Sequence, residues 1–74
     1  MRITFNFRYG LSPLTLELEG DEATLLAQVE DALENGTLLK LTDIKGERVM
    51  IPGSEVSYVL IPSESHRPVG FGRQ

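Results

Sequence analysis

Leu38-Leu39-Lys40-Leu41-Thr42-Asp43-Ile44-Lys45-Gly46-Glu47-Arg48-Val49-Met50-Ile51-Pro52 reads as two short strands joined by a tight turn. In the first strand Leu39 and Leu41 alternate with Lys40 and Thr42, and in the second Val49 and Ile51 alternate with Arg48 and Met50. Period-two alternation gives each strand one apolar face, which is the pattern of a half-buried sheet. Asp43-Ile44-Lys45-Gly46 supplies the turn, and a second turn at Pro52-Gly53-Ser54-Glu55 leads into a third strand running from Val56 to Ile61. Three short strands bury too little apolar surface to stand alone, so the remaining chain must add strands and a cover.

Working outward toward the N-terminus, Arg2 to Arg8 alternates, with Ile3, Phe5, Phe7 and Tyr9 on one side. Gly10-Leu11-Ser12-Pro13 then connects to a second strand in which Leu14, Leu16 and Leu18 point inward. The aromatic stripe of this hairpin could stack nucleotide bases, but it coincides with the expected core face, and core is the favoured reading. Asp21 is a suitable helix N-cap after Gly20, and Leu25, Val29 and Leu33 recur at i, i+4 and i+8, flanked by Leu26 and Ala32. Asn35-Gly36 closes the helix, since either residue tolerates a left-handed conformation. Glu30, Asp31 and Glu34 lie on the outer face of the helix and read as plain surface.

The element order is therefore β-β-α-β-β-β, an α+β domain whose mostly antiparallel sheet carries one packed helix. That order resembles the β-grasp, or ubiquitin-like, arrangement; a small five-stranded barrel is the competing architecture. A conjugated modifier of that class ends in a free Gly-Gly, whereas this sequence ends Gly70-Phe71-Gly72-Arg73-Gln74, which argues against a role in carboxy-terminal activation. Residues 1–74 are expected to form one domain, with 62–68 a loop and 69–74 an extended C-terminal segment. Glycines are expected to carry positive φ at the turns after Asn35 and Lys45, namely Gly36 and Gly46.

Composition narrows the function classes. With 74 residues and no cysteine, the chain has neither disulfides nor thiolate chemistry, and a small unstapled core fits the reducing cytoplasm. No apolar run is long enough to span a bilayer, and the alternating start does not read as a signal peptide; no membrane partner is expected. The net charge of −4 is uneven: residues 1–37 carry two basic and seven acidic side chains, residues 38–74 five basic and four acidic. Such a chain as a whole repels a phosphate backbone, so nucleic acid would need a local basic patch, for which Lys40, Arg48, Arg67 and Arg73 are the candidates.

Leu41-Thr42-Asp43-x-x-Gly46-x-x-Val49-x-Ile51-Pro52, then Val56-x-Tyr58-Val59, and finally Arg67-x-Val69-Gly70-Phe71-Gly72, resembles a small actinobacterial family of uncharacterised proteins, a domain of unknown function of about this length. The resemblance implies a cytoplasmic protein without an assigned reaction. Leu60 stands where that pattern leads one to expect an acidic residue after Tyr58-Val59, so any site using that acid would be weakened here.

The inventory of reactive groups is short. His66 is the single histidine, and Ser63, Glu64 and His66 in one loop do not constitute a triad, because sequence neighbours rarely adopt nucleophile-to-base geometry. Gly70-Phe71-Gly72 lacks the following helix that turns glycine amides into a phosphate cradle, and one histidine with no cysteine serves zinc poorly. No catalytic residue, metal ligand or cofactor is therefore assigned. The leading reading is a self-associating protein-interaction domain, a homo-oligomer, with a nucleic-acid-binding or transcription-accessory module second and a small-molecule carrier or enzyme third. The segment Val69-Gly70-Phe71-Gly72 is the expected contact, since Val69 and Phe71 share one face of an extended chain and the glycines permit close backbone approach, in cis or in trans.

Overall fold

The computed structural model describes residues 1–62. Strands form where the apolar residues alternate, giving β1 (Arg2–Phe7), β2 (Leu14–Glu17), β3 (Leu38–Thr42), β4 (Arg48–Pro52) and β5 (Val56–Leu60), and the 3.6-residue repeat forms α1 (Glu22–Asn35). The architecture is α+β, with the strands in two antiparallel sheets, one ordered β2-β1-β5 and the other the β3-β4 hairpin. Both sheets are open, so the strands do not close into a barrel.

The sheets meet at a single bridge between Leu18 and Asp43, reinforced where the Ile44 N–H donates to the Glu17 carbonyl at 3.0 Å. On its other side Leu18 is tied to the chain start: its N–H donates to the Met1 carbonyl at 2.7 Å, and the Met1 ammonium donates to the Leu18 carbonyl at 2.6 Å. The helix α1 packs against residues of both sheets in one core. Ile3, Phe5, Leu16 and Leu18 from the first sheet, Val29 and Ala32 from the helix, and Leu39, Leu41, Ile51 and Val56 form one buried cluster. Leu25, Leu33, Phe7 and Val49, expected in the same core, pack at its margin and are half-buried. Burial of each large side chain contributes about 1.5–3 kcal/mol, so Phe5 and Ile3, with no exposed surface, are major contributors.

One local reading is revised. β1 ends at Phe7, because Arg8–Gly10 form a 3-10 turn with Tyr9 at φ 63° and Gly10 at φ 75°. These left-handed residues turn the chain out of the ladder, and Tyr9 leaves the inward stripe to become 82% exposed. The turn expected at Pro52-Gly53-Ser54-Glu55 is present: Gly53–Glu55 form a 3-10 turn whose Gly53 is buried against the end of α1. The Gly53 N–H donates to the Thr37 carbonyl at 2.8 Å, which locks the β4–β5 connection to the helix exit.

Candidate interaction site

The hairpin that decides the fold also presents exposed apolar side chains. Asp43 rigidifies its turn, its Oδ1 accepting from the N–H groups of Lys45 and Glu47, each at 2.9 Å, while Gly46 takes φ 88°. The register places Leu38 opposite Pro52, Lys40 opposite Met50 and Thr42 opposite Arg48 on the outer face. Leu38 is 50% and Met50 63% exposed, so two apolar side chains stand at positions whose phase in the alternation is polar. Lys40 and Arg48 flank Met50 on that face, and neither makes an ion pair among the described residues. The face holds a shallow depression of about 480 Å³ between Lys40, Thr42, Arg48 and Met50.

The edges of the hairpin differ. Backbone bonds join Asp43 with Glu47 and Thr37 with Gly53, and alternation between them makes Leu41 with Val49 and Leu39 with Ile51 the hydrogen-bonded pairs. The N–H and C=O groups of Leu38, Lys40 and Thr42 therefore point away from β4. On the opposite edge the outward groups belong to Arg48, Met50 and Pro52, and Pro52 has no N–H to offer, a common way of blunting an edge strand. The β3 edge has no strand partner among the described residues apart from the junction with β2 at Asp43. A groove of about 240 Å³ runs beside it, between Leu38–Lys40 and the helix residues Gln28, Asp31 and Ala32.

Of the sequence-predicted basic residues, Lys40 and Arg48 come together on one face, while Arg67 and Arg73 lie outside the described residues. Val69, Gly70, Phe71 and Gly72, and the loop carrying Ser63, Glu64 and His66, also lie outside them. Leu38, Met50, Gln28 and Asp31 were not singled out as site residues by sequence reasoning. The signal for the first two was available, since each is a large apolar residue at an outward strand position; the helix–strand groove has no sequence signature. Elsewhere on the surface, Arg2 and Glu17 form an exposed ion pair across β1 and β2, and the Thr4 and Thr15 hydroxyls pair at 2.9 Å beside it. Such exposed pairs contribute little to stability. The side-chain amide nitrogen of Asn6, next to the β1–β5 register shift, is buried with no hydrogen-bond partner among the described residues. Among the described residues no three His, Cys, Asp or Glu side chains are grouped to hold a metal ion, and no helix is long and apolar enough to cross a membrane.

Residues 1–72 match the family described as "Protein of unknown function (DUF3107)", and the chain belongs to that family. No curated protein matches the sequence. The match takes in the whole hairpin–helix–strand order, and the assignment to a family without a defined reaction agrees with the resemblance carried by the Leu41–Pro52 and Val56–Val59 patterns.

Proposed function

We propose that this family member is a cytoplasmic, non-catalytic interaction domain that associates with a second copy of itself through the β3–β4 hairpin. The observation that carries the reading is the β3 edge, which beyond its junction at Asp43 has no strand partner among the described residues and on which Leu38 presents an exposed apolar side chain and outward-pointing backbone groups. An open strand edge with apolar side chains is a template for pairing with another chain. A core this small also gains stability from association, because the fraction of surface buried rises with assembled size. The absence of cysteine supports the reducing compartment. Sedimentation equilibrium of the full chain tests the proposal: a closed oligomer at micromolar concentration is expected, and a protein that stays monomeric at high micromolar concentration overturns it.

A second reading is favoured by one observation, the convergence of Lys40 and Arg48 around Met50 without acidic partners among the described residues. In this reading the face contacts nucleic acid. Two phosphate contacts would give a log–log salt slope of only about −2, against a chain of net charge −4, so any such binding is weak at physiological salt. Titration of a fluorescent oligonucleotide at two salt concentrations separates the readings, and charge-neutral substitution of Lys40 and Arg48 should abolish the signal if this face is responsible.

A further inference from the structure

We infer that the outer face of the β3–β4 hairpin docks an acidic segment of a partner protein, one in which a large apolar side chain is followed two and four residues on by carboxylates. Leu38, Lys40 and Thr42 from β3 and Arg48, Met50 and Pro52 from β4 make this face, and all of them are exposed. None is acidic, so the face carries two positive charges on a chain whose net charge is −4. Lys40 and Arg48 make no ion pair among the described residues. The nearest acidic residues, Asp43 and Glu47, pair with each other across the turn and continue the inner phase of Leu41 and Val49.

The register sorts the face by chemistry. Leu38 lies opposite Pro52, Lys40 opposite Met50 and Thr42 opposite Arg48, so one end is apolar and the end toward the turn is cationic. Successive rows are about 7 Å apart, and Lys40 stands diagonally to Arg48 at about 7–8 Å. An extended peptide presents every second side chain to such a face at the same spacing. An apolar residue over Leu38, Met50 and Pro52 therefore directs the next two positions toward Lys40 and Arg48. The depression of about 480 Å³ between Lys40, Thr42, Arg48 and Met50 receives the carboxylates. The Arg48 guanidinium can hold one in bidentate fashion, and the unbranched Met50 adapts its shape to the apolar anchor.

Charge complementarity selects this occupant over the others. A polynucleotide would match the two cations but leave Leu38 and Met50 unpartnered, and the face has no aromatic side chain on which a base could stack. Residues 63–74 contain two arginines against one glutamate, so this chain supplies no acidic run of its own there. The helix α1 of a second copy offers Glu30, Asp31 and Glu34 but no exposed large apolar side chain beside them. The docking face is also separate from the β3 edge: a strand added at that edge would extend the face without covering it, so self-association and peptide docking stand or fall independently.

The test is an NMR titration of the isotope-labelled full chain. The probe is a synthetic peptide of serines and threonines carrying leucine at one position and glutamate two and four positions later. Saturable amide shifts confined to β3 and β4 are expected. Replacing the glutamates of the peptide by glutamine should weaken binding about five-fold or more, and replacing its leucine by serine about ten-fold, with the protein left untouched. Lys40→Gln combined with Arg48→Gln should reproduce the first loss and Met50→Thr the second. Lys45→Gln, which removes an exposed charge from the turn and none from the face, should stay within about two-fold. Absence of saturable shifts on the hairpin overturns the proposal, as does equal binding of the glutamine peptide. An oligonucleotide that shifts the same amides at lower concentration assigns the face to nucleic acid instead. A change in the sedimentation of the unliganded Lys40→Gln, Arg48→Gln protein assigns it to a second copy, and either result also overturns the acidic partner.

Discussion

Gly53 sits so close to Ala32 that a Cβ on the glycine would lie 2.1 Å from the Ala32 carbonyl oxygen. The contact is between backbones: the same hypothetical atom would approach the Thr37 carbonyl oxygen to 2.8 Å, and the Gly53 N–H already donates to that oxygen. Helix exit and β4–β5 turn are thus fitted together with no side chain between them.

Gly53→Ala is consequently expected to be the most damaging single-methyl change in the chain. The neighbouring atoms are main-chain carbonyls that cannot rotate aside, so the helix end or the turn must move, at a cost of about 3 kcal/mol. Ser54→Ala, one residue on and exposed, should change stability by less than about 0.5 kcal/mol. Urea denaturation of both variants checks the contrast, and equal midpoints would contradict it.

The helical stripe predicts a second outcome. Val29 is 4% exposed at the centre of α1's inner face, in the cluster that contains Phe5 and Leu41. An aspartate there has no cationic partner and must either ionise in an apolar environment or unfold its surroundings, so Val29→Asp should abolish cooperative unfolding, whereas Val29→Ala should lose about 2 kcal/mol and stay folded. A cooperative thermal transition in the aspartate variant would place the stripe elsewhere.

Gly36 and Gly46 both adopt positive φ, 67° and 88°, as expected where a helix and a hairpin turn close. Among the described residues, chain neighbours aside, a Cβ at Gly46 would meet open space, and one at Gly36 would meet the Ser54 Cβ at an ordinary 3.7 Å. The penalty for alanine is therefore conformational, about 1 kcal/mol at each site. Gly46→Asn should recover part of the loss, because asparagine tolerates the left-handed region. Melting temperatures of the three variants measure the ranking.

Much of the fold was legible because two periodicities agreed. Leu39, Leu41 and Ile51 alternate with polar neighbours, Leu25, Val29 and Leu33 follow the helical repeat, and each pattern leaves one apolar face to be covered. Asp21 and Gly36 marked the helix ends for equally local reasons. What stayed hidden depends on three-dimensional approach. The Gly53 contact joins residues far apart in sequence, and Tyr9 kept an alternating position in the sequence while its backbone turned out of the strand. The division into two sheets rests on the junction between Leu18 and Asp43, which no local pattern encodes. The groove beside β3 brings Gln28, Asp31 and Ala32 of the helix next to Leu38–Lys40, a juxtaposition that no single stretch of sequence announces.

The N-cap of α1 makes a prediction about pH. Asp21 accepts hydrogen bonds from the Thr24 hydroxyl at 2.8 Å and the Thr24 N–H at 3.0 Å, and these bonds, the side-chain one foremost, hold its pKa below the ordinary value of 3.8. A carboxyl whose pKa is lower in the folded than in the unfolded chain stabilises the fold fully above the unfolded value and loses that contribution as pH falls through the folded value. The fall in melting temperature caused by Asp21→Ala should accordingly be largest near neutral pH and shrink once the solution is acid enough to protonate the wild-type carboxylate. Asp21→Asn keeps an acceptor for Thr24 but has no charge to lose. Its own cap should not titrate, and its deficit relative to wild type should also close on acidification. Thermal melts of the three proteins between neutral and strongly acidic pH carry the comparison, and a wild-type advantage that persists unchanged below the carboxyl range would show that the charge of Asp21 has no part in holding the helix start.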